Sequence, residues 1–130
     1  MAATHLADAS ALAQLHQPRV ALRFGGLVVA GLVATCGVVD LELLARFGRE
    51  ERAEVRAERR FFRRVPCDEA VLERAIAVQA LLGDPLPTTV QLVVAAAAEL
   101  SDLVLIHDDD AFERIAAATG QRLERVAGAA

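Results

Sequence analysis

The sequence predicts an α/β fold with a parallel sheet, because short aliphatic runs alternate with helical segments along its 130 residues. Strands are predicted at residues 5–8, 32–36 and 103–107, with a last edge strand at 123–126. The run at 103–107 is aliphatic up to its final histidine, as expected for a strand covered on both faces. A hydrophobic share of 55% is sufficient for one core. We therefore predict a single domain over residues 1–130.

Helix signals fill the gaps between these strands. Ser10 can cap a helix that begins at Ala11, because its hydroxyl can accept a hydrogen bond from an orphan N–H. Pro18 suits the first turn of a second helix, through about residue 31. Further helices are predicted at residues 38–47, 49–63, 69–82, 88–100 and 112–118, the last ended by Gly120.

Composition also restricts where the chain is expected to act. The most apolar stretch, residues 24–39, contains four glycines and is shorter than the ~20 apolar residues of a spanning helix. We interpret it as a buried helix that runs into a buried strand. Residues 1–6 show no basic region ahead of an apolar one. Cys36 and Cys67 match no metal-ligand spacing and suit a reducing compartment. These features predict a cytoplasmic chain with no membrane segment.

Charge is distributed unevenly along the chain. The formal net charge of −4 argues against a general nucleic-acid coat protein. Residues 46–64 nevertheless hold eight arginines and four glutamates, a local +4, which leaves −8 for the remainder. This segment can contact RNA phosphates. Alternatively it is an ordinary exposed helix of mixed charge, along which Glu50 and Glu54 lie at the i, i+4 spacing.

Acidic residues are predicted to meet at one edge of the sheet. Asp8 ends the first strand, and Asp108, Asp109 and Asp110 follow the strand at 103–107. Ligands of parallel sheets bind beyond the carboxyl ends of the strands, and Mg²⁺ or Mn²⁺ prefers carboxylate oxygens. The pattern predicts a cation site, although Asp8 can instead be a helix cap and the aspartate run a polar turn.

A further acidic pair lies in an apolar turn, Val39-Asp40-Leu41-Glu42-Leu43-Leu44. Asp40 and Glu42 are two residues apart, so on a helix they point to different faces. One is expected to face solvent and the other a cleft, and the spacing does not decide which. His107 borders the aspartate run and is either structural or sensitive to the charge of these acids.

Three motifs together resemble the PIN domains of the VapC toxin group. Residues 6–12, Leu-Ala-Asp-Ala-Ser-Ala-Leu, look like that family's opening strand, in which Ser or Thr follows an aspartate by two positions. The turn around Glu42 is similar to the second motif. Residues 105–116 are similar to the C-terminal motif, in which an aromatic residue, here Phe112, follows the acid by three positions. The resemblance implies a three-layer PIN-like fold with a central parallel sheet flanked by helices.

The resemblance also implies an activity and its partners. VapC-like proteins are metal-dependent endoribonucleases whose acids hold Mg²⁺ or Mn²⁺. By motif position, Asp8, Glu42 and Asp109 carry over as catalytic residues and metal ligands, with Ser10 as a supporting hydrogen-bonding residue. The implied partners are an RNA substrate such as a transfer or ribosomal RNA, a small antitoxin whose tail occupies the acidic cleft, and a second copy of the chain in a homodimer.

One position departs from the family pattern. Where the family has an acid that opens the alanine-rich helix, this chain has Gln91, eighteen residues before Asp109 as in the family. A glutamine carbonyl is a weak, uncharged ligand, so metal affinity should fall. Asp108 and Asp110 are supporting candidates for compensation. We expect the three carried-over acids to converge in one cleft that Gln91 lines.

Three functions follow from these features. The first is an active ribonuclease toxin that a small antitoxin neutralises. The second is a PIN fold that has lost catalysis through Gln91 and binds RNA or a protein partner. The third is a phosphatase with Asp8 as its nucleophile. That class usually needs a second acid two residues later, where Ser10 stands, so it ranks last.

Overall fold

The computed structural model describes residues 2–126. At its centre is a sheet of five strands, namely β1 (His5–Ala7), β2 (Val33–Thr35), β3 (Arg63–Arg64), β4 (Val104–His107) and β5 (Leu123–Arg125). All neighbouring strands run parallel, in the order β3-β2-β1-β4-β5. The predicted parallel sheet is confirmed. Because β1 lies between β2 and β4, its carboxyl end is central and is flanked by the loops that follow both neighbours.

Helices connect the strands in chain order. They are α1 (Ala9–Leu12), α2 (Pro18–Val29), α3 (Gly37–Leu44), α4 (Arg49–Arg59), α5 (Glu69–Gln79), α6 (Thr89–Leu100) and α7 (Asp110–Thr119). Pro18 occupies the first turn of α2, and Gly120 ends α7 with the left-handed φ of 76° that favours glycine. Among residues 2–126, none of the helices has both the length and the apolar content needed to cross a bilayer.

Alternation along the central strands produces three layers. Leu6 and Leu105 face one side of the sheet, where they pack with core residues of α3, α5, α6 and α7. Ala7 and Ile106 face the other side, where α1 and α2 cover them. All four side chains are buried, and burial of a leucine contributes about 1.5–3 kcal/mol. The predicted α/β architecture, with helices on both faces of a parallel sheet, is therefore confirmed.

Two predictions about the first helices are wrong. Ser10 does not cap α1; Asp8 does, with an extended backbone and a carboxylate that accepts the N–H of Ala11 at 3.2 Å. The helix therefore begins at Ala9, and Ser10 already lies inside it. Of the apolar stretch at residues 24–39, the strand β2 is buried as predicted, but the helix is buried on one side only, since Phe24 is 2% and Val29 is 90% exposed. A helix that covers one face of a sheet buries one stripe only, whatever the composition of its outer face.

The helix predicted at residues 49–63 is also too long. The helix α4 ends at Arg59, and Arg63 and Arg64 form the edge strand β3, in register with Ala34 and Thr35 of β2. Two exposed arginines carry no apolar alternation, so side-chain pattern could not reveal this strand. Its backbone pairing with β2 defines it. The helix predicted at residues 38–47 is likewise shorter, at Gly37–Leu44.

Candidate functional site

Asp8 stands at the carboxyl end of β1, where the chain enters α1. The residue is only 4% exposed. Its carboxylate accepts hydrogen bonds from Ser10 Oγ at 2.7 Å and from the backbone N–H of Ala11 at 3.2 Å. Burial raises the pKa of Asp8 above its ordinary value, and these hydrogen bonds offset part of the rise. Asp8 is thus a helix cap and also a desolvated carboxylate at the sheet edge.

The helix α3 directs its two acids to different places. Asp40 is buried, and its carboxylate accepts hydrogen bonds from Thr35 Oγ1 at 2.8 Å and Arg59 Nε at 3.0 Å. Glu42 lies on the exposed side of the helix. Partial burial raises the pKa of Glu42, and the negative charge of Asp8 raises it further. Glu42 is therefore the acid of this pair that lies within electrostatic range of Asp8.

Two of the three consecutive aspartates have a cation as partner. Arg125 of β5 places Nε 3.3 Å from a carboxylate oxygen of Asp108 and Nη1 2.5 Å from one of Asp110. Gln14 donates to the other carboxylate oxygen of Asp108 at 2.5 Å. Arg125 and Gln14 carry no motif, so sequence reasoning missed them. The parallel pairing of β5 with β4, with Arg125 opposite His107, brings the guanidinium to the aspartate run.

Asp109 is held by its own helix and by His107. Its carboxylate accepts the N–H of Ala111 at 2.8 Å as the N-cap of α7, and its N–H donates to His107 Nδ1 at 3.1 Å. Nδ1 accepts, so the proton of the neutral ring lies on Nε2, 3.2 Å from Glu113 Oε1. Burial lowers the pKa of His107, against the charges of Glu113 and Asp8. The neutral ring therefore positions the backbone at Asp109.

Ser10 joins the ends of the two central strands. Its hydroxyl donates to Asp8 at 2.7 Å and accepts the backbone N–H of Asp108 at 3.1 Å. The N–H of Asp8 in turn donates to the carbonyl of Ile106 at 3.0 Å. These bonds hold the Asp8 carboxylate in a fixed position relative to the end of β4. They are consistent with the supporting hydrogen-bonding role that the sequence predicts for Ser10.

Gln91 is engaged at the start of the alanine-rich helix. Its side-chain carbonyl accepts the N–H of Thr88 at 2.9 Å, and its own N–H donates to Thr88 Oγ1 at 3.1 Å. This reciprocal pair is a capping box, which satisfies two orphan donors of α6. The carbonyl that would have to serve as a ligand at this position is thus already the acceptor of a capping hydrogen bond.

The negative charge of Asp8 raises the pKa of Glu42, and Asp109 follows the strand next to that of Asp8. Asp8 offers a buried carboxylate and Glu42 an exposed one, and Arg46 offsets part of the negative charge at Glu42. Such a donor pair fits a divalent cation. Within residues 2–126, no three His, Cys, Asp or Glu side chains are grouped closely enough to hold a metal ion. Convergence of the three acids, with Gln91 lining their cleft, stays a prediction.

Comparison with known proteins identifies relatives along almost the whole chain. The family model described as PIN domain matches residues 6–118. Ribonuclease VapC21 of Mycobacterium tuberculosis (strain H37Rv) is 36% identical, over 97% of this chain and 96% of the relative. Ribonuclease VapC2 of Mycobacterium tuberculosis (strain CDC 1551) is 37% identical, over 93% of this chain and 91% of the relative.

Solved structures agree with this fold. A chain in the crystal structure of DNA-bound VapBC from Salmonella typhimurium is similar with a TM-score of 0.76 at 17% identity, over 95% of this chain and 98% of that chain. A chain of FitAcB from Neisseria gonorrhoeae is similar with a TM-score of 0.70 at 18% identity, over 97% and 98% of the two chains. The family model matches most of the chain, and relatives above 30% identity span nearly all of it. The chain therefore belongs to the PIN domain family.

Proposed function

We propose that this chain is a VapC-like endoribonuclease, a toxin that cleaves RNA with the help of Mg²⁺ or Mn²⁺. The observation that carries the proposal is the placement of the buried Asp8 carboxylate at the carboxyl edge of the sheet, where Ser10 ties it to the backbone of Asp108 just after β4. The relatives named ribonucleases, at 36–37% identity over at least 93% of the chain, support the reaction class. Hydrolysis of a phosphodiester bond suits a site made of carboxylates, since these can hold a cation against the negative substrate.

Asp8, Glu42 and Asp109 would hold the cation. A bound Mg²⁺ or Mn²⁺ would supply charge stabilisation to the scissile phosphate and an activated water. The chain contributes the orientation of these groups. Ser10 holds the Asp8 carboxylate through a 2.7 Å hydrogen bond, and His107 holds the backbone of Asp109 at 3.1 Å. Pre-positioned ligands of this kind favour binding, because less side-chain freedom is lost when the cation arrives.

The proposed partners follow from the family. The Salmonella typhimurium relative was solved as a VapBC assembly on DNA. We propose that this chain likewise pairs with a small antitoxin whose tail enters the acidic cleft, and that it forms a homodimer. The proposed substrate is a structured RNA such as a transfer or ribosomal RNA, met in the cytoplasm.

A second candidate function rests on Gln91. Its carbonyl is the acceptor in the Thr88 capping box, and it carries no charge. A site with one acid fewer should bind a divalent cation more weakly. In this alternative the PIN fold has lost catalysis and serves as a module that binds RNA or a protein partner.

Cleavage of total RNA by the purified chain, with and without Mn²⁺ or Mg²⁺, tests the two functions. Asp8→Asn and Gln91→Asp would be assayed alongside Asp102→Asn, a control with the same chemical change at a residue that is exposed. Metal-dependent cleavage that only Asp8→Asn abolishes would support the active nuclease. If the parent chain does not cleave RNA and the Gln91→Asp variant does, the result would instead support the binding module. Cleavage that survives Asp8→Asn would refute the proposed site.

A further inference from the structure

The helix α4 separates its charges by face. At about 100° per residue, its arginines fall on one side, and the adjoining Arg60 continues that side. These residues are Arg49, Arg52, Arg56, Arg59 and Arg60, and the glutamates on the opposite side are Glu50, Glu51, Glu54 and Glu58. Neighbours at the i, i+4 spacing are consequently like charges, which destabilise a helix. No ion pair joins the two sides in the described part of the chain. The helix is exposed along most of its length and carries charges of both signs, as the alternative interpretation expects, but these charges lie on separate sides and are not paired along the helix.

The arginine face meets a cavity between α3, α4 and β3. The cavity has a volume of about 330 Å³, and the side chains of three arginines, Arg56, Arg59 and Arg64, line it together with Asp40, Gly37, Leu41 and Leu44. Three positive charges against one carboxylate leave a local excess of +2. The chain as a whole carries −4, so this concentration of positive charge is a local feature and the electrostatic attraction of an anion would be confined to it.

The three arginines differ in their exposure and in the hydrogen bonds that they make. Arg59 is buried, bonds Asp40 through Nε, and lies 4.1 Å over the ring of Phe62, with its Nη2 lacking a hydrogen-bond partner. Because it is buried, Arg59 contributes its positive charge to the cavity from behind the exposed side chains. Arg64 is 53% exposed and bonds Asp40 at 2.5 Å. Arg56 is exposed and has no hydrogen bond or ion pair within residues 2–126. Arg56 and Arg64 therefore have the tips that can contact a ligand.

We propose that this cavity binds a backbone phosphate of RNA. Guanidinium forks match phosphate oxygens. The exposed arginines of α4 and its C-cap, namely Arg49, Arg52, Arg56 and Arg60, recur about once per helical turn of ~5.4 Å. Regularly spaced cations suit a polyanion better than a single carboxylate.

The cavity and the acidic site share the helix α3. Asp40 and Leu41 line the cavity from this helix, and Glu42 of the same helix has its pKa raised by the charge of Asp8. An RNA strand held at the arginines would therefore lie against the helix that carries Glu42, so the site would serve substrate binding and rests on the proposed ribonuclease function.

The test is the affinity of a fluorescein-labelled single-stranded oligoribonucleotide, measured by fluorescence anisotropy in EDTA so that binding is separated from cleavage. Arg56→Gln/Arg64→Gln is compared with Arg19→Gln/Arg63→Gln, which removes the same charge. Arg63 is the matched control for Arg64, because successive strand residues point to opposite faces, and Arg19 is exposed on α2. We expect the first variant to bind about tenfold more weakly. Its slope of log Kd against log salt should fall by about 0.7, for one phosphate contact. The control should stay within about twofold.

Equal weakening in both double variants would overturn the inference, since it would indicate nonspecific charge. Arg56→Gln alone guards against misfolding, because that side chain makes no hydrogen bond or ion pair within residues 2–126, and it should retain part of the effect. A polyglutamate peptide is the second probe. If Arg56→Gln/Arg64→Gln loses the peptide but binds RNA normally, the cavity serves an acidic protein partner and the inference is wrong.

The same RNA incubated with Mn²⁺ separates the two proposals. A parent chain that binds through Arg56 and Arg64 but never cleaves would refute the ribonuclease function and leave the phosphate site standing. A parent chain that cleaves, while Arg56→Gln/Arg64→Gln binds as tightly as the parent, would refute the phosphate site alone.

Discussion

Asp40→Asn should strongly destabilise the fold. The side chains of Asp40 and Arg59 are 6% and 5% exposed, and the carboxylate oxygen lies 3.0 Å from Nε. Water therefore screens the pair little, and the substitution leaves the Arg59 guanidinium without a counter-charge in the interior. Breaking a buried pair in this way costs about 3–5 kcal/mol, a large share of the roughly 5–15 kcal/mol that stabilises a domain. The Arg64 partner is 53% exposed and adds little.

The free energy of unfolding would be measured by urea titration at pH 7. Asp102→Asn is the matched control, since Asp102 is 96% exposed and its partner Arg122 is 60% exposed. Asparagine also tolerates the left-handed φ of 56° at that position. The control should lose less than about 1 kcal/mol.

A loss for Asp40→Asn no larger than that of Asp102→Asn would refute the reasoning. The double variant Asp40→Leu/Arg59→Met provides an independent check, because replacing both members of a buried pair by apolar groups is often neutral. It should be more stable than Asp40→Asn. A double variant that is no more stable would mean that packing around these side chains, and not the unpaired charge, dominates.

Two further predictions concern the acidic site and the thiols. Asp8→Asn should leave the fold as stable as the parent or up to about 1 kcal/mol more stable, because burial disfavours the charge and asparagine can still accept both hydrogen bonds. A urea titration that shows a clearly lower free energy of unfolding would contradict this. Burial raises the pKa of Cys36 to about 12, so at pH 8 to 9 this thiol stays protonated and unreactive. When the chain is treated with iodoacetamide, mass spectrometry should therefore find the half-buried Cys67 alkylated first. Faster alkylation of Cys36 would show that the site opens.

Local chemistry made much of the fold predictable. The aliphatic run before His107 is strand β4, and Pro18 and Gly120 mark the start of α2 and the end of α7. Each of these signals acts through its own residues, since proline fixes its own φ and glycine permits a left-handed φ. The edge strand β3 was missed because Arg63 and Arg64 have no local signal and are paired only through the backbone of β2.

The candidate site was likewise predictable from the sequence only in part. Asp8, Glu42 and Asp109 could be named from motif order, but spacing could not separate Glu42 from Asp40. The choice depends on Arg59, nineteen residues after Asp40 in the chain, which holds the Asp40 carboxylate inside the fold. Arg125, which forms ion pairs with Asp108 and Asp110, lies on a strand that becomes a neighbour of β4 only when the sheet assembles.

The sequence by itself determined the layered parallel architecture and the family, and it named Asp8, Glu42 and Asp109 as candidate acids, because strand pattern, helix caps and motif spacing are properties of neighbouring residues. Tertiary structure alone decided which acid of α3 is buried, that Gln91 serves as a capping residue, and that the arginines of α4 and β3 surround one cavity. These outcomes depend on contacts between residues far apart in the chain, where a buried charge must find a counter-charge and a helix end must find its hydrogen-bond partners.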